Sequence, residues 1–391
     1  MRRHLKTALS RTLAWTGGDR LYGTLAGHRR APMIVGYHRV VKEYARMKRT
    51  SIPAMLITSG TFEQQVDWIA RRYRVTTLDA IGSKLESGDP FEERLAAITF
   101  DDGYADVYEN AFPILRRKGL PATMFVVTDL IGRARLQSFD RLYLLLSRAL
   151  ARPGGIDWVC DVAGAHAIPA GVRARLSRLP KDPVRTTQTL LKTLPQHTLD
   201  GVLAALEARF PMPAGCFASH RALDWEMLEE MQSAGMTIGS HTRSHPLLTL
   251  ETSATVRAEV EGSRRLLQQW LGGRIDHFAY PDGRFDATVV SAVKKAGYRF
   301  GFGVCAHRDA SEPLLTIPRR MLWENSCLDR SGRFCPAVMS CSTNGIFDLM
   351  ERCRRDHRGA TAAALAAVES REDLKGSLEG GGFSRAEGRL T

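Results

Sequence analysis

The chain has 391 residues, of which 44% are hydrophobic and 25% charged, a composition that supports a sizeable core and excludes a chain disordered throughout. Its net charge of +13 admits nucleic acid, an anionic membrane surface or an anionic substrate as partner. The excess Arg is spread along the chain without zinc-finger, helix-turn-helix or RNA-binding strand signatures, so no nucleic-acid partner is expected.

Residues 1–30 read as a basic helix plus linker. Lys6 and Arg11 interrupt the apolar run, so the segment is not read as a signal peptide. It is expected to be an ordinary first helix packed on the main fold, with an amphipathic helix lying on a membrane surface as the alternative. Seven cysteines, with no C-x-x-C pair, argue against a disulfide framework and for a reducing compartment. The expectation is a cytoplasmic protein, with peripheral contact at the inner membrane as the alternative. The apolar run Met33–Tyr37 is a buried strand ending at His38-Arg39, and 42–60 is a loop. Thr61 is positioned to cap a helix with Phe62, Val66 and Ile69 on one face. Val75–Leu78 reads as a strand and 79–88 as a short helix. Leu95–Phe100 is a buried strand running into Asp101-Asp102-Gly103-Tyr104. A helix over 106–118 stops at Gly119, and Ala122–Val127 is again a strand.

This β-α rhythm predicts a parallel sheet or barrel. It breaks over 129–218, which reads as a mostly helical insertion. It resumes with a helix over 224–235, strand Met236–Gly239, helix 252–271, strand His277–Tyr280, helix 286–296 and a strand near 298–304. The tail from 356 to 391 is rich in Ala, Gly, Glu and Arg and is expected to be disordered.

Three segments carry chemistry. Asp101 and Asp102 end a buried strand, where two adjacent carboxylates repel unless a cation or proton offsets them. Neighbouring side chains there point in different directions, so one can face a metal and the other substrate or water. An Asp-Asp-Gly turn without function uses the same residues. His241 and His245 are four apart, a spacing that lets both face one point from a helical turn. Asp102, His241 and His245 together make a two-His, one-carboxylate set with open positions. Tyr280-Pro281-Asp282-Gly283 ends an apolar strand and fits one wall of a cleft.

Thr99–Tyr104, Ser240–His245 and Tyr280–Gly283 resemble, in order, the motifs of the polysaccharide deacetylase family, the NodB-homology domain of carbohydrate esterase family 4. The likeness covers about 33–130 and 218–325, within a domain read as 31–355. It implies a distorted (β/α) barrel and a divalent metal, zinc first, with cobalt, nickel or iron as alternatives. It implies Asp102, His241 and His245 as ligands, Asp101 as general base, and the backbone N–H of Tyr280 as oxyanion donor. Tyr104, Tyr280, Pro281 and Asp282 would bind substrate. Many members have Arg where Ala279 stands, and Arg319 or Arg320 is expected to supply that charge to Asp101. An aromatic usually stands where Asp282 does. The late Leu-x-His motif is missing, since His307 and His357 lack its context. Tyr37-His38 instead resembles the opening of the branch acting on poly-N-acetylglucosamine, which implies His38 as general acid. The function implied is removal of N-acetyl groups from an N-acetylhexosamine polysaccharide or glycolipid. A small-amide hydrolase and an inactive glycan-binding member are the alternatives.

Overall fold

A computed structural model of the protein describes residues 3–26, 31–166, 168–179, 181–210, 212, 215–304 and 308–347. The tail 356–391, and His307 and His357, lie outside these residues. Among the described residues, eleven short strands carry the fold: β1 Met33–Tyr37, β2 Arg39–Val41, β3 Leu56–Thr58, β4 Arg74–Val75, β5 Leu95–Phe100, β6 Thr123–Val126, β7 Thr237–Ser240, β8 His277–Ala279, β9 Phe300–Gly303, β10 Ile317–Pro318 and β11 Arg320–Met321.

The main sheet runs β10-β9-β8-β7-β6-β5-β1-β11, with β4 beside β5, and every pairing in it is parallel. Its two edge strands are separated in sequence by Arg319 alone. One edge pairs Ile317 with Phe302 and the other pairs Val35 with Arg320. The sheet therefore curls into a nearly closed barrel whose seam is that one residue. The strands read as continuous apolar runs because both faces are covered: all six residues of β5 and all four of β9 are buried. This is the distorted (β/α) barrel that the motif resemblance implied.

Local details depart from the sequence reading for identifiable reasons. The helix expected to be capped by Thr61 is Ser59–Ala70, and its cap is Thr58, whose Oγ1 accepts from the Thr61 N–H at 3.2 Å. The loop 42–60 contains β3, which pairs in parallel with β2. The helix expected over 106–118 is a π-helical turn, Val107–Ala111, followed by an α-helix, Phe112–Lys118. Pro113 has no N–H to donate into the preceding turn, so the ladder changes period there.

Between β6 and the helix Trp225–Ser233 the described residues form five longer helices, Ser138–Leu150, Gly155–Ala165, Ala170–Arg178, Pro183–Leu191 and Gln196–Arg209, and one short one, Cys216–Ser219. The longer five bury their own core, including Leu145, Val159, Leu176, Leu190, Leu203 and Phe210. At the N-terminus, α1 (Arg3–Thr16) and α2 (Gly18–Leu25) pack together and against the helix Pro336–Thr343. Among the described residues no helix is long and apolar enough to cross a membrane, and Cys160, Cys216, Cys327, Cys335 and Cys341 are unbridged.

Candidate active site

The carboxyl ends of β1, β5, β7 and β8 open into a cleft of about 310 Å³ lined by His38, Asp101, Asp102, His241, His245, Tyr280, Pro281 and Asp282. Barrel sites are built at this end because the loops that follow the strands converge there.

Asp102 leaves β5 with φ 75°, and Gly103 follows at φ 76°. Asp102, Thr242, His245 and Asp282 are the four non-glycine residues with positive φ among the described residues. All four fall in the three motifs, where such conformations persist only when their surroundings over-determine them. The surroundings are visible. The Gln137 amide reaches the Asp102 carbonyl at 3.4 Å. Thr242 Oγ1 accepts from the His245 N–H at 2.9 Å. The histidine pair therefore sits on a tight turn after β7 and not on the helical turn its spacing suggested.

Asp102 is 2% exposed, and neither of its carboxylate oxygens has a hydrogen-bond partner. Its Oδ1 lies 3.4 Å from His245 Nε2 and 3.7 Å from His241 Nε2. The three ligand atoms are within 4.8 Å of one another. His241 Nδ1 lies 2.8 Å from the Ala279 carbonyl, which orients the ring and leaves Nε2 facing the site. Burial, then Asp101 and Asp140, push the Asp102 carboxyl well above the usual range. Burial pushes both imidazoles down, so they rest neutral, the form that binds metals. An orphaned carboxylate facing two neutral imidazoles fits one divalent cation.

Asp101 is handled differently. Arg319 grips it with two parallel bonds, Nη1 to Oδ1 at 2.7 Å and Nη2 to Oδ2 at 2.8 Å. Burial would raise the Asp101 pKa, but Arg319 overrides it, aided by His241, and holds the carboxyl at about 2. Arg319 also reaches Thr99 Oγ1 at 3.1 Å and stacks over Phe125 at 5.0 Å. The seam residue thus takes the place of the arginine absent at Ala279. Half-buried His38 follows β1, and burial brings its imidazole down to about 4, against the opposing pull of Asp101.

Tyr104 does not line the cleft. It is 2% exposed, its hydroxyl donates to Asp140 Oδ2 at 2.5 Å, and Arg39 covers its ring. It ties the first helix of the insertion to the barrel, so its expected substrate role is replaced by an anchoring one. The Tyr280 N–H is likewise unavailable as an oxyanion donor, because it bonds the Phe302 carbonyl at 3.0 Å. The Tyr280 hydroxyl donates to the Leu315 carbonyl at 2.8 Å. Asp282 is half-exposed and pairs with Arg284 at 3.1 Å and with Lys192 of the insertion at 3.8 Å, across the cleft mouth.

Several site residues carry no motif. Phe139 packs edge-on against His245 at 5.3 Å, and Trp323, Met321 and Leu191 complete the walls. Glu259, on the helix Ser253–Leu271, accepts the Arg243 and Ser244 N–H groups at 2.8 and 2.9 Å and the Ser244 hydroxyl at 2.7 Å. It fixes the turn that carries both histidines. Glu259→Ala is expected to weaken divalent-metal binding by about 10 to 100-fold, the usual effect of losing such an outer support. Isothermal titration of the folded variant measures this, and wild-type affinity would remove Glu259 from the site.

The sequence profile of the polysaccharide deacetylase family matches residues 88–150 and 181–301, leaving a gap within the insertion. The poly-beta-1,6-N-acetyl-D-glucosamine N-deacetylase of Staphylococcus epidermidis is 26% identical over 178 residues, 42% of this chain and 61% of that protein. A putative polysaccharide deacetylase of Bacillus subtilis is 20% identical over 249 residues, 63% of this chain and 58% of that protein. The chain thus spans about three-fifths of the length of these relatives. The solved structure of IcaB from Ammonifex degensii superposes with a TM-score of 0.50 at 17% identity, covering 80% of this chain and 97% of that one, a likeness of fold.

Proposed function

The chain belongs to the polysaccharide deacetylase family, and from that premise we propose that it hydrolyses the acetamide bond of N-acetylhexosamine units in a glycan, yielding acetate and a free amine. The observation that carries this reading is the juxtaposition of the Asp102, His241 and His245 trio with the Arg319-held Asp101 in one cleft. Asp102, His241 and His245 would hold a divalent metal, and zinc, cobalt, nickel or iron each suits two imidazoles and a carboxylate. When bound, the ion supplies Lewis-acid polarisation of the acetyl carbonyl and acidifies a water.

The rest is done by side chains. Arg319 keeps Asp101 ionised and fixed in orientation, so Asp101 accepts the proton of the attacking water. Its low basicity makes that transfer costly until the water is acidified. His38 protonates the departing amine. Because burial leaves His38 neutral, it takes up a proton during the reaction before it donates one. Asp101 takes one proton from the water, and His38 delivers one to the amine nitrogen, so the two transfers balance. The water oxygen joins the acetyl carbon as the C–N bond breaks. Trp323, Met321 and Pro281 offer apolar surface for sugar rings.

Acetate release from β-1,6-linked N-acetylglucosamine oligomers by metal-loaded protein tests the activity, with poly-N-acetylglucosamine chosen from the Staphylococcus relative. His38→Ala is expected to slow this amide cleavage by about 10² to 10⁴-fold. Hydrolysis of an activated acetyl ester, whose leaving group needs little protonation, should change far less. Equal slowing of both substrates would make His38 structural.

A further inference from the structure

The N-terminal helices are amphipathic in the inverted sense. In α1 the residues turned inward include Thr7 and Ser10, both buried, with Leu13 packed against the cluster around Val338 and Cys341. In α2 they are Asp19 and Gly23. The outward side carries the large apolar groups: Leu5 is 61% exposed, Leu9 40%, Trp15 88%, Leu21 62% and Leu25 79%. These are five of the eight exposed large hydrophobic residues in the described structure. At about 100° per residue, Leu5, Ala8, Leu9, Thr12, Trp15 and Thr16 fall within one arc of about 120° that contains no charge. In α2, Leu21 and Leu25 are one turn apart on a single face.

Scattered exposed leucines need no explanation, but a continuous apolar stripe opposite a buried face that takes in Thr7, Ser10 and Asp19 does. Charge indicates what covers it. Residues 1–31 contain Arg2, Arg3, Lys6, Arg11, Arg20, Arg29 and Arg30, and Asp19 is their single acid. Asp19 is fully buried and receives hydrogen bonds from Ser340 and Asn344, so it does not offset that charge at the surface. An apolar stripe in a strongly cationic segment matches the interface of an anionic bilayer, with leucines and Trp15 among the acyl chains and exposed Arg20 among the headgroups, while Arg11 pairs with Asp329 at 3.3 Å. Placement also suits this partner. Lys6 donates to the Ser326 carbonyl at 3.1 Å, and the Ser326 hydroxyl donates at 2.6 Å to the carbonyl of Trp323, a cleft-lining residue. The stripe is therefore linked closely to the wall of the cleft.

We infer that the outward face of α1 and α2 is a docking surface for anionic membranes, which holds the protein at the bilayer while leaving the cleft open. This does not depend on which bond the cleft hydrolyses. The full chain should co-sediment with vesicles containing phosphatidylglycerol in phosphatidylcholine, and far more weakly with pure phosphatidylcholine. High salt should release it. Leu21→Ser with Leu25→Ser should lower vesicle partitioning about tenfold or more, while circular dichroism and turnover of a soluble substrate stay unchanged. Both leucines point to solvent, so the variant keeps its fold. Failure of the wild-type chain to bind anionic vesicles would overturn the inference. So would sedimentation of the vesicle-free protein as a dimer that Leu21→Ser with Leu25→Ser dissociates, because the stripe would then be covered by a second copy.

Discussion

His241→Ala and His245→Ala are each expected to abolish stoichiometric binding of a divalent ion and to lower deacetylation by about 10⁴-fold or more. The magnitude follows from losing several kcal/mol of charge stabilisation at the reacting carbonyl, each 1.4 kcal/mol being about tenfold in rate. Asp102→Asn should act alike on metal and rate but differently on the empty protein. Both carboxylate oxygens of Asp102 are buried without donors, and Asp101 and Asp140 crowd it electrostatically. Removing that charge relieves a cost in the metal-free fold, so metal-free Asp102→Asn should unfold at higher denaturant than metal-free wild type. The histidine variants should show no comparable gain. Elemental analysis of bound metal, paired with urea unfolding with and without chelator, checks both halves. Unchanged metal stoichiometry in the histidine variants would sink the assignment.

Arg319→Met is expected to be the most destabilising single change at the site, costing about 3 to 5 kcal/mol. Arg319 and Asp101 are both nearly inaccessible and joined by two short bonds, so removing the cation strands a buried carboxylate. Adding Asp101→Asn to Arg319→Met should recover most of the loss, since the pair is replaced by neutral groups of similar size. That recovery separates an electrostatic role from simple packing, and the double-mutant cycle measures it. A loss below about 1 kcal/mol in the single variant would show that water reaches Asp101 and screens it.

The fold and the grouping of Asp102, His241 and His245 were legible because their signals are local. Met33–Tyr37 and Leu95–Phe100 are strands in sequence and in structure, with the same bounds. Their apolar runs are what a strand covered on both faces requires. Asp102, His241 and His245 sit on motifs, and a strand end plus a turn is enough to aim each toward the cleft. The helical reading of His241 to His245 failed for a physical reason: a four-residue spacing is satisfied equally by a tight turn with positive φ at Thr242 and His245, and spacing alone does not choose. Tyr104 was misplaced because a motif fixes the chain's path but not the depth at which a side chain ends.

By itself, then, the sequence determined the alternation of strand and helix, the broken stretch from 129 to 218, and the residue types needed for a carboxylate and imidazole site. Three matters were decided by tertiary structure. Arg319 reaches Asp101 across 218 residues because the sheet closes at the one residue between β10 and β11. The insertion becomes a cleft wall because Asp140 and Phe139 dock on Tyr104 and His245. The N-terminal helices turn Leu5, Leu9, Leu21 and Leu25 outward because the packing against the helix Pro336–Thr343 takes Ser10 and the buried Asp19. Each depends on which surfaces meet after chain closure, and local propensity and hydrophobic period carry no information about a partner hundreds of residues away.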